Sequence, residues 1–559
     1  MKSKQPIHYK INRMYQRIIL AAAGCILSSS LLAQKDTTRK QQSIDINSNF
    51  QPVLRNSVKI NFSGTPLAAD TSKPNLDYTI PAQNLFYAYQ PISLKPLALQ
   101  MDTNLYLGNR RYLKAGFGSY STPYVSAGVS FGDGKTSLVN ITGNYIASKG
   151  KDITNQDYSQ LNVKGAGSYF NKGNEFYGSA AFSQNNYYLY GYDHALYTFT
   201  KNDIRQQFEN IALTAGVKNT TNNDVKISYN PNVAVNFFTN KNKTSETSLQ
   251  INLPVQKQFG DNVIFKVEGT GDFTNYSNNG QGNNHLRFSN NIVAIAPSLV
   301  FHTPALNLNA GVTPTWNNGK FVLLPNIYLE TQVQDKVFTL QAGLVGRYIK
   351  NTYKNLTDIN PYLGPLSFQK NTKETEAYGG IKATLGTHFN FSAKASIIRY
   401  NDFALFVNDT ATDNKMFLIS NESKMKDFRI HGDISYINQD KFTLTAGLTF
   451  NGYTGLADNS KAWNTVPMEF TSSLRYWALK KLLIKGDFYL FAGGNALQKN
   501  NSSYAFTGGS DLSAGAEYQI NKQFSVWMDV NNIFNNKYQR WHNYQVYGFN
   551  VLGGILIHF

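Results

Sequence analysis

The C-terminal stretch Tyr547-Gly548-Phe549-Asn550-Val551-Leu552-Gly553-Gly554-Ile555-Leu556-Ile557-His558-Phe559 sets Tyr547, Phe549, Val551, Gly553, Ile555, Ile557 and the terminal Phe559 at every second position. Successive side chains of a strand point to opposite faces, so period two reads as a β-strand with one apolar face. The same alternation recurs upstream. Leu512, Ala514, Ala516, Tyr518 and Ile520 oppose Ser513, Gly515, Glu517 and Gln519. Leu482, Ile484, Phe488 and Leu490 oppose Lys485, Asp487 and Tyr489. Phe442, Leu444, Ala446, Leu448 and Phe450 alternate with threonines and Gly447, and Val263, Phe265 and Val267 with Lys266 and Glu268. Each segment has one apolar wall and one polar wall.

The connections decide what those walls enclose. Tight turns fall at Asp133-Gly134, Asn171 to Asn174, Gln334 to Lys336, Asn438 to Asp440, Lys480-Lys481 and Asn521 to Gln523. Between them lie longer polar loops, at Lys149 to Tyr158, Tyr190 to Gln207, Asn351 to Thr372 and Gly493 to Gly508. Strands of about ten residues, with short turns on one side and long loops on the other, describe a transmembrane antiparallel β-barrel with its turns in the periplasm. From Tyr112 to Phe559 the alternation predicts about 22 strands. The even number brings both ends of the barrel segment to the periplasmic side.

Composition agrees. Charged residues make up 16% and aromatics 14%, with 35 Tyr, 36 Phe and 42 Gly, and mean hydropathy is −0.36. That excludes a helical membrane protein and suits strands with one lipid-facing and one wet face. The net charge of +18 becomes 18 − 5 = +13 once the five basic residues of the N-terminal segment are removed. These cations are dispersed, with no basic helix or nucleic-acid motif, and suit a membrane surface rich in phosphate better than nucleic acid.

The N-terminus reads as an export signal over residues 1–33. Lys2, Lys4, Lys10, Arg13 and Arg17 precede an apolar run from Ile18 to Ala33, and cleavage is expected between Ala33 and Gln34. A lipoprotein box ending at Cys25 is the competing reading, but it leaves only about six apolar residues ahead of the cysteine. Cys25 is the only cysteine. A chain cleaved after Ala33 therefore has no disulfide and no thiolate chemistry. Residues 34–110 are punctuated by Pro52, Pro66, Pro74, Pro81, Pro91 and Pro96 and are expected to run extended, as a periplasmic or lumenal segment. The barrel then occupies residues 111–559. A ring of about 22 strands is too wide for wall side chains to fill, which makes residues 34–110 the candidate occluding segment.

Little in the chain speaks for catalysis. His194, His285, His302, His388, His431, His542 and His558 show no HExxH or paired metal spacing, and no G-x-S-x-G elbow occurs. No cofactor, metal site or enzyme activity is expected. Lys266, Glu268, Asp272, Lys485, Asp487 and Asp529 are expected to line a wet lumen.

One motif carries a resemblance. In Phe524 to Tyr538 the residues Val530, Asn532, Phe534, Lys537 and Tyr538 match a V-x-N-L-F-x-x-K-Y pattern, with Ile533 in place of Leu and Trp541 and Tyr544 following in an aromatic loop. This resembles the penultimate strand and loop of TonB-dependent receptors, over about the last 40 residues. The row Tyr547, Phe549, Val551, Ile555, Ile557 and Phe559 resembles the terminal signal by which outer-membrane barrels are recognised for assembly. The resemblance implies a Gram-negative outer-membrane receptor or transporter in contact with membrane lipid and lipopolysaccharide, assembled by the barrel machinery and partnered by TonB or another periplasmic protein. The chain departs from that family in having no plug-like pattern ahead of the barrel, and Ser43 to Asn47 is only a generic match to a TonB box. A porin-like channel and a structural or secretion partner of periplasmic proteins therefore stay open as alternatives. No ligand-binding residue is singled out.

Overall fold

The computed structural model describes residues 111–559, apart from 222, 280–284, 334–336, 387, 411–412, 439–440 and 500. The expected export signal, with its Ala33–Gln34 junction, and segment 34–110 lie outside the described residues, as does the turn at Gln334 to Lys336.

Twenty-two antiparallel strands form a closed barrel. The first eight are β1 (Arg111–Gly118), β2 (Thr122–Gly132), β3 (Ser137–Ser148), β4 (Tyr158–Asn171), β5 (Asn174–Tyr188), β6 (Arg205–Asn219), β7 (Asn232–Asn240) and β8 (Thr244–Phe259). Then come β9 (Val263–Asn278), β10 (Leu286–His302), β11 (Leu306–Asn317), β12 (Lys320–Val333), β13 (Phe338–Ile349), β14 (Thr372–Leu385) and β15 (Phe389–Asn401). The last seven are β16 (Met425–Asn438), β17 (Phe442–Thr454), β18 (Met468–Leu479), β19 (Leu482–Phe491), β20 (Gly509–Gln519), β21 (Phe524–Asn531) and β22 (Asn550–His558). A short piece, Ile227–Tyr229, extends β7 in register against β8, with Pro231 breaking the ladder between them. Closure is made by β22 pairing with β1, as in Leu113↔Ile557 and Phe117↔Gly553. A closed sheet leaves no unpaired edge, which hydrocarbon requires.

Every one of the 22 strands exposes a large apolar side chain, for example Ile141, Ile211, Leu299, Leu344 and Leu448. Such a continuous exposed apolar surface far exceeds what water tolerates and is the lipid face. Exposed Phe131, Tyr169, Phe176, Phe259, Phe301, Phe524 and Phe559 cluster where the tight turns lie, forming an aromatic girdle. The alternate side chains point into the barrel and pair with one another. Lys266 contacts Glu268 at 3.5 Å, Lys394 contacts Glu376 at 2.9 Å and Arg429 contacts Asp427 at 3.0 Å. Asp487 accepts from Ser473 at 2.8 Å. Lys485 lies 3.9 Å from Glu517, and Arg347 pairs with Glu374. These pairs lie on the polar wall that the sequence pattern assigned to the lumen.

The connections segregate as expected. Asp133-Gly134, Lys172-Gly173 and Lys480-Lys481 are at one end, and 149–157, 189–204, 350–371 and 492–508 at the other. We call these the turn end and the loop end. Three loop-end connections are short as well, at 119–121, 241–243 and 318–319.

Candidate functional site

The long loops do not stand free. The connection 350–371 folds inward and carries a helix, α1 (Tyr353–Ile359). Thr352 caps it, its hydroxyl accepting from the Asn355 amide at 3.0 Å. The wall supplies a second cap: the Glu246 carboxylate on β8 accepts from the amides of Tyr353 and Lys354 at 2.6 and 3.2 Å. An acid at a helix N-terminus satisfies otherwise unpaired amides and the positive end of the dipole. Gln369 also donates to Glu246 at 3.0 Å, and Asn240 donates to the Tyr353 hydroxyl at 3.0 Å. The loop after β13 is thereby pinned to β7 and β8, several strands away around the wall.

Three loops meet at one point. Tyr190 comes from the β5–β6 loop, Tyr362 from the β13–β14 loop and Tyr544 from the β21–β22 loop, which stand eight, eight and six strands apart around the wall. Tyr362 stacks on Tyr544 with ring centroids 3.5 Å apart. Tyr190 meets Tyr544 edge-on at 4.8 Å and Tyr362 at 5.9 Å. Loops anchored at nearly equal intervals around a ring can bring their tips together only across its mouth. Phe417, from the β15–β16 loop, joins through Trp541 at 5.5 Å, and its backbone pairs with the β13–β14 loop (Phe417 N to Tyr362 O 3.0 Å, Gly364 N to Phe417 O 2.8 Å).

Hydrogen bonds tie the same junction. The Tyr190 hydroxyl and the Gln156 amide both donate to the Gln545 carbonyl at 2.8 Å. The Tyr544 hydroxyl donates to the Lys415 carbonyl, and the Tyr547 hydroxyl to that of Gln156. Burial pushes the Tyr190 pKa up to about 12 and those of Tyr362 and Tyr544 well above the usual tyrosine value. All three are neutral donors at physiological pH. The sequence reading offered residues 34–110 as the occluding segment, and these lie outside the described residues; the loop cluster is a feature that reading did not anticipate. Aromatic clustering draws the loops together across this end.

Beside this cluster, Asn414, Leu497, Gln498, Lys499 and His542 line a cavity of about 460 Å³. His542 lies beside Tyr504 with ring centroids 4.6 Å apart, its Nδ1 buried without a partner, and burial lowers its pKa, keeping the imidazole neutral. Close to His542 in sequence, Arg540 is buried over the Trp541 ring at 4.4 Å and donates to the Asn464 carbonyl at 3.1 Å, while the Trp541 Nε1 has no partner among the described residues. The arrangement offers amide, imidazole and ammonium groups to a polar ligand. Among the described residues, no three His, Cys, Asp or Glu side chains gather to hold a metal ion.

The motif residues sit at the foot of this roof. Val530 is in β21, opposite Val551. Asn532 is buried with φ 48°, donates to the carbonyls of Asn536 and Tyr547 at 3.0 and 2.8 Å and accepts from the Asn536 amide, so it turns the chain out of the strand. Phe534 is exposed near Phe488, Lys537 bridges to Asp152 at 2.8 Å, and buried Tyr538 donates to Asp511 at 3.3 Å. On the closing strand and the residues flanking it, Phe549, Val551, Ile555, Ile557 and Phe559 keep one parity, and Phe549, Ile555 and Phe559 are exposed. Tyr547 departs from that row: it precedes β22 and is buried in the roof, because its hydroxyl is held by the Gln156 carbonyl. Sequence reasoning missed Tyr190, Tyr362 and Glu246. The run Tyr187-Tyr188-Leu189-Tyr190-Gly191-Tyr192 was the available signal, too aromatic for a solvated loop.

No protein-family model and no curated protein matches the chain. Solved structures do. The FrpB iron transporter from Neisseria meningitidis is similar with a TM-score of 0.63 at 12% identity, over 80% of this chain and 81% of that one. The copper transporter OprC aligns with a TM-score of 0.61 at 13% identity, over 80% of each chain. The ferric enterobactin receptor PfeA from Pseudomonas aeruginosa aligns at 0.59 and 12% identity, over 80% of each. The resemblance to TonB-dependent receptors drawn from the C-terminal motif holds at the level of the fold.

Proposed function

We propose that this chain is an outer-membrane receptor-type transporter that takes a ligand at its loop end and passes it through the barrel to the periplasm. The observation that carries the reading is the convergence of Tyr190, Tyr362 and Tyr544, which bridges the mouth with built contacts where a porin needs an opening. Similar barrels transport iron and copper or receive ferric enterobactin, which favours a receptor over a structural role. In this reading residues 1–33 are removed on export and residues 34–110 face the periplasm or the lumen, where TonB or another periplasmic protein engages them. The row ending at Phe559 is what the assembly machinery reads. The chemistry is binding and passage, with no bond made or broken.

Planar bilayers separate the classes. The mature protein should be nearly silent, and the double variant Tyr362→Ala/Tyr544→Ala should gate open frequently, because large-to-small changes in a packed cluster cost about 3–5 kcal/mol each. Steady large conductance from the unaltered protein would establish the porin reading instead. A periplasmic partner lost on deleting residues 34–110 from a silent barrel without transport activity would favour the structural one.

A further inference from the structure

The outer wall carries a feature that the transport reading does not use. Across β12 to β16 the lipid-facing row Ile327–Leu344–Ala377–Ile397–Phe428 and the next row Leu329–Ala342–Gly379–Ala395–Ile430 run side by side in register. Ala377, Ala342, Gly379 and Ala395 are small, while Ile327, Leu344, Ile397, Phe428 and Ile430 stand exposed around them. The result is a shallow apolar groove of about 570 Å³ on the membrane side of the barrel. Its floor is not dictated by packing: a Cβ placed on Gly379 would meet nothing within 4 Å.

A second observation lies one step along the same strands toward the loop end. Arg399 follows Ile397 on the same face of β15, and Lys426 precedes Phe428 on β16; the two are direct cross-strand partners. Lys373, on β14, lies on the same face one step further toward the loops, opposite Asn401. Arg399 and Lys426 are exposed, and among the described residues none of the three makes a side-chain hydrogen bond or ion pair. The acids of the adjoining loops are engaged elsewhere, Asp402 with Lys370 at 3.0 Å and Asp458 with the Ser423 amide at 2.7 Å. Like charges directly opposite on a sheet are destabilising unless an anion lies between them. Here they also border hydrocarbon, which gives no solvation to offset the repulsion.

We propose that this face is a binding site for a phosphorylated, acylated glycolipid of the lipid A class, its phosphates held by Arg399, Lys426 and Lys373 and one acyl chain lying in the groove over Gly379. Three cations on three adjacent strands span about 10 Å, at roughly 4.8 Å per strand, which suits more than one phosphate. Arginine and lysine at the boundary of an apolar wall are the groups that recognise lipid phosphates. The assignment to the outer leaflet rests on the loop end facing outward. The lipid contact itself does not depend on transport.

Native mass spectrometry of the delipidated, detergent-purified barrel tests it, with purified lipid A and phosphatidylglycerol as probes. The unaltered protein should retain one lipid A and prefer it over phosphatidylglycerol. Arg399→Gln/Lys426→Gln should weaken retention at least tenfold by removing the phosphate ligands. Gly379→Leu should weaken it through the groove alone, with all three charges kept, and both variants should remain heat-modifiable barrels. Equal retention of lipid A by both variants and the unaltered protein overturns the site, and so does equal retention of phosphatidylglycerol. Because the readout is lipid mass, a barrel that fails to transport yet retains lipid A refutes the functional reading and leaves this site standing.

Discussion

The tight turns at the turn end are held by local rules, and the long connections at the loop end by long-range ones. The turn after β2 is held by one side chain: the Asp133 carboxylate accepts from the amides of Lys135, Thr136 and Ser137 at 2.9, 2.7 and 3.1 Å, and Gly134 takes a φ of 69° that glycine adopts without strain. All partners lie within four residues. At the loop end, Tyr190 bonds a carbonyl 355 residues away, and Gln156 reaches the same carbonyl across 389. Local closure lets each hairpin form as soon as its two strands meet. Distant closure needs strands from around the whole barrel to be in place, because its partners come from opposite parts of the wall.

The largest expected effect tests that division from the assembly side. Phe559 is exposed at the turn end and completes the outward row of β22, the strand that closes on β1. Removing it deletes a lipid contact worth about 1.5–3 kcal/mol and the terminal aromatic of the closing strand. Deletion should leave most of the protein unassembled, seen as loss of the heat-modifiable band in membranes. By contrast, the Tyr362→Ala/Tyr544→Ala roof variant should assemble normally. Wild-type levels of folded barrel without Phe559 would remove the distinction between the ends.

That contrast also explains what the chain declares about itself. Strands, turns and the lumenal face were legible because period-two alternation and turn chemistry act over a few neighbours: Phe265 faces out and Lys266 in for reasons contained in β9. The strand number followed from counting those units. The candidate site was not legible, since nothing near Tyr362 in sequence says that Tyr190 and Tyr544 will meet it. Tyr547 shows the limit most sharply. Its parity matches Phe549 and Phe559, yet a hydrogen bond to Gln156 draws it under the roof. Period two fixes a face only while the residue remains in the ladder.

A second, smaller effect concerns alkali. Tyr190 donates to the Gln545 carbonyl, and burial pushes its pKa up to about 12, above an ordinary value near 10. A folded pKa raised in this way means the closed roof is fully favoured below about pH 10 and loses that stability as pH rises through about 12. The contribution is on the order of 2 kcal/mol for this buried group. Protease cutting near exposed Leu196 should therefore increase between those limits while the barrel strands stay protected. Tyr190→Phe, which cannot ionise, should shift the onset upward; an unchanged profile would mean that another group opens the roof.

The smallest effect is at the turn end and has the opposite sign in pH. Three backbone amides hold the Asp133 carboxylate ionised well below the usual carboxylate range. A depressed folded pKa gives stability that is present above the ordinary carboxylate pKa and is lost as pH falls through the folded value. Asp133 is fully exposed, so solvent screening keeps the effect slight, and it acts on one turn-end connection among ten. In Asp133→Asn the side-chain oxygen still accepts from the turn amides but carries no charge. At neutral pH the variant should unfold at a marginally lower temperature than the unaltered barrel. The difference should shrink as the pH is lowered, since protonation removes the advantage of the aspartate, and the roof should resist protease equally in both proteins. A difference that persists undiminished in acid would show that the charge is not what holds the turn. A roof that loosens in Asp133→Asn would show that the two ends are coupled through the wall, against the independence that local and long-range closure imply.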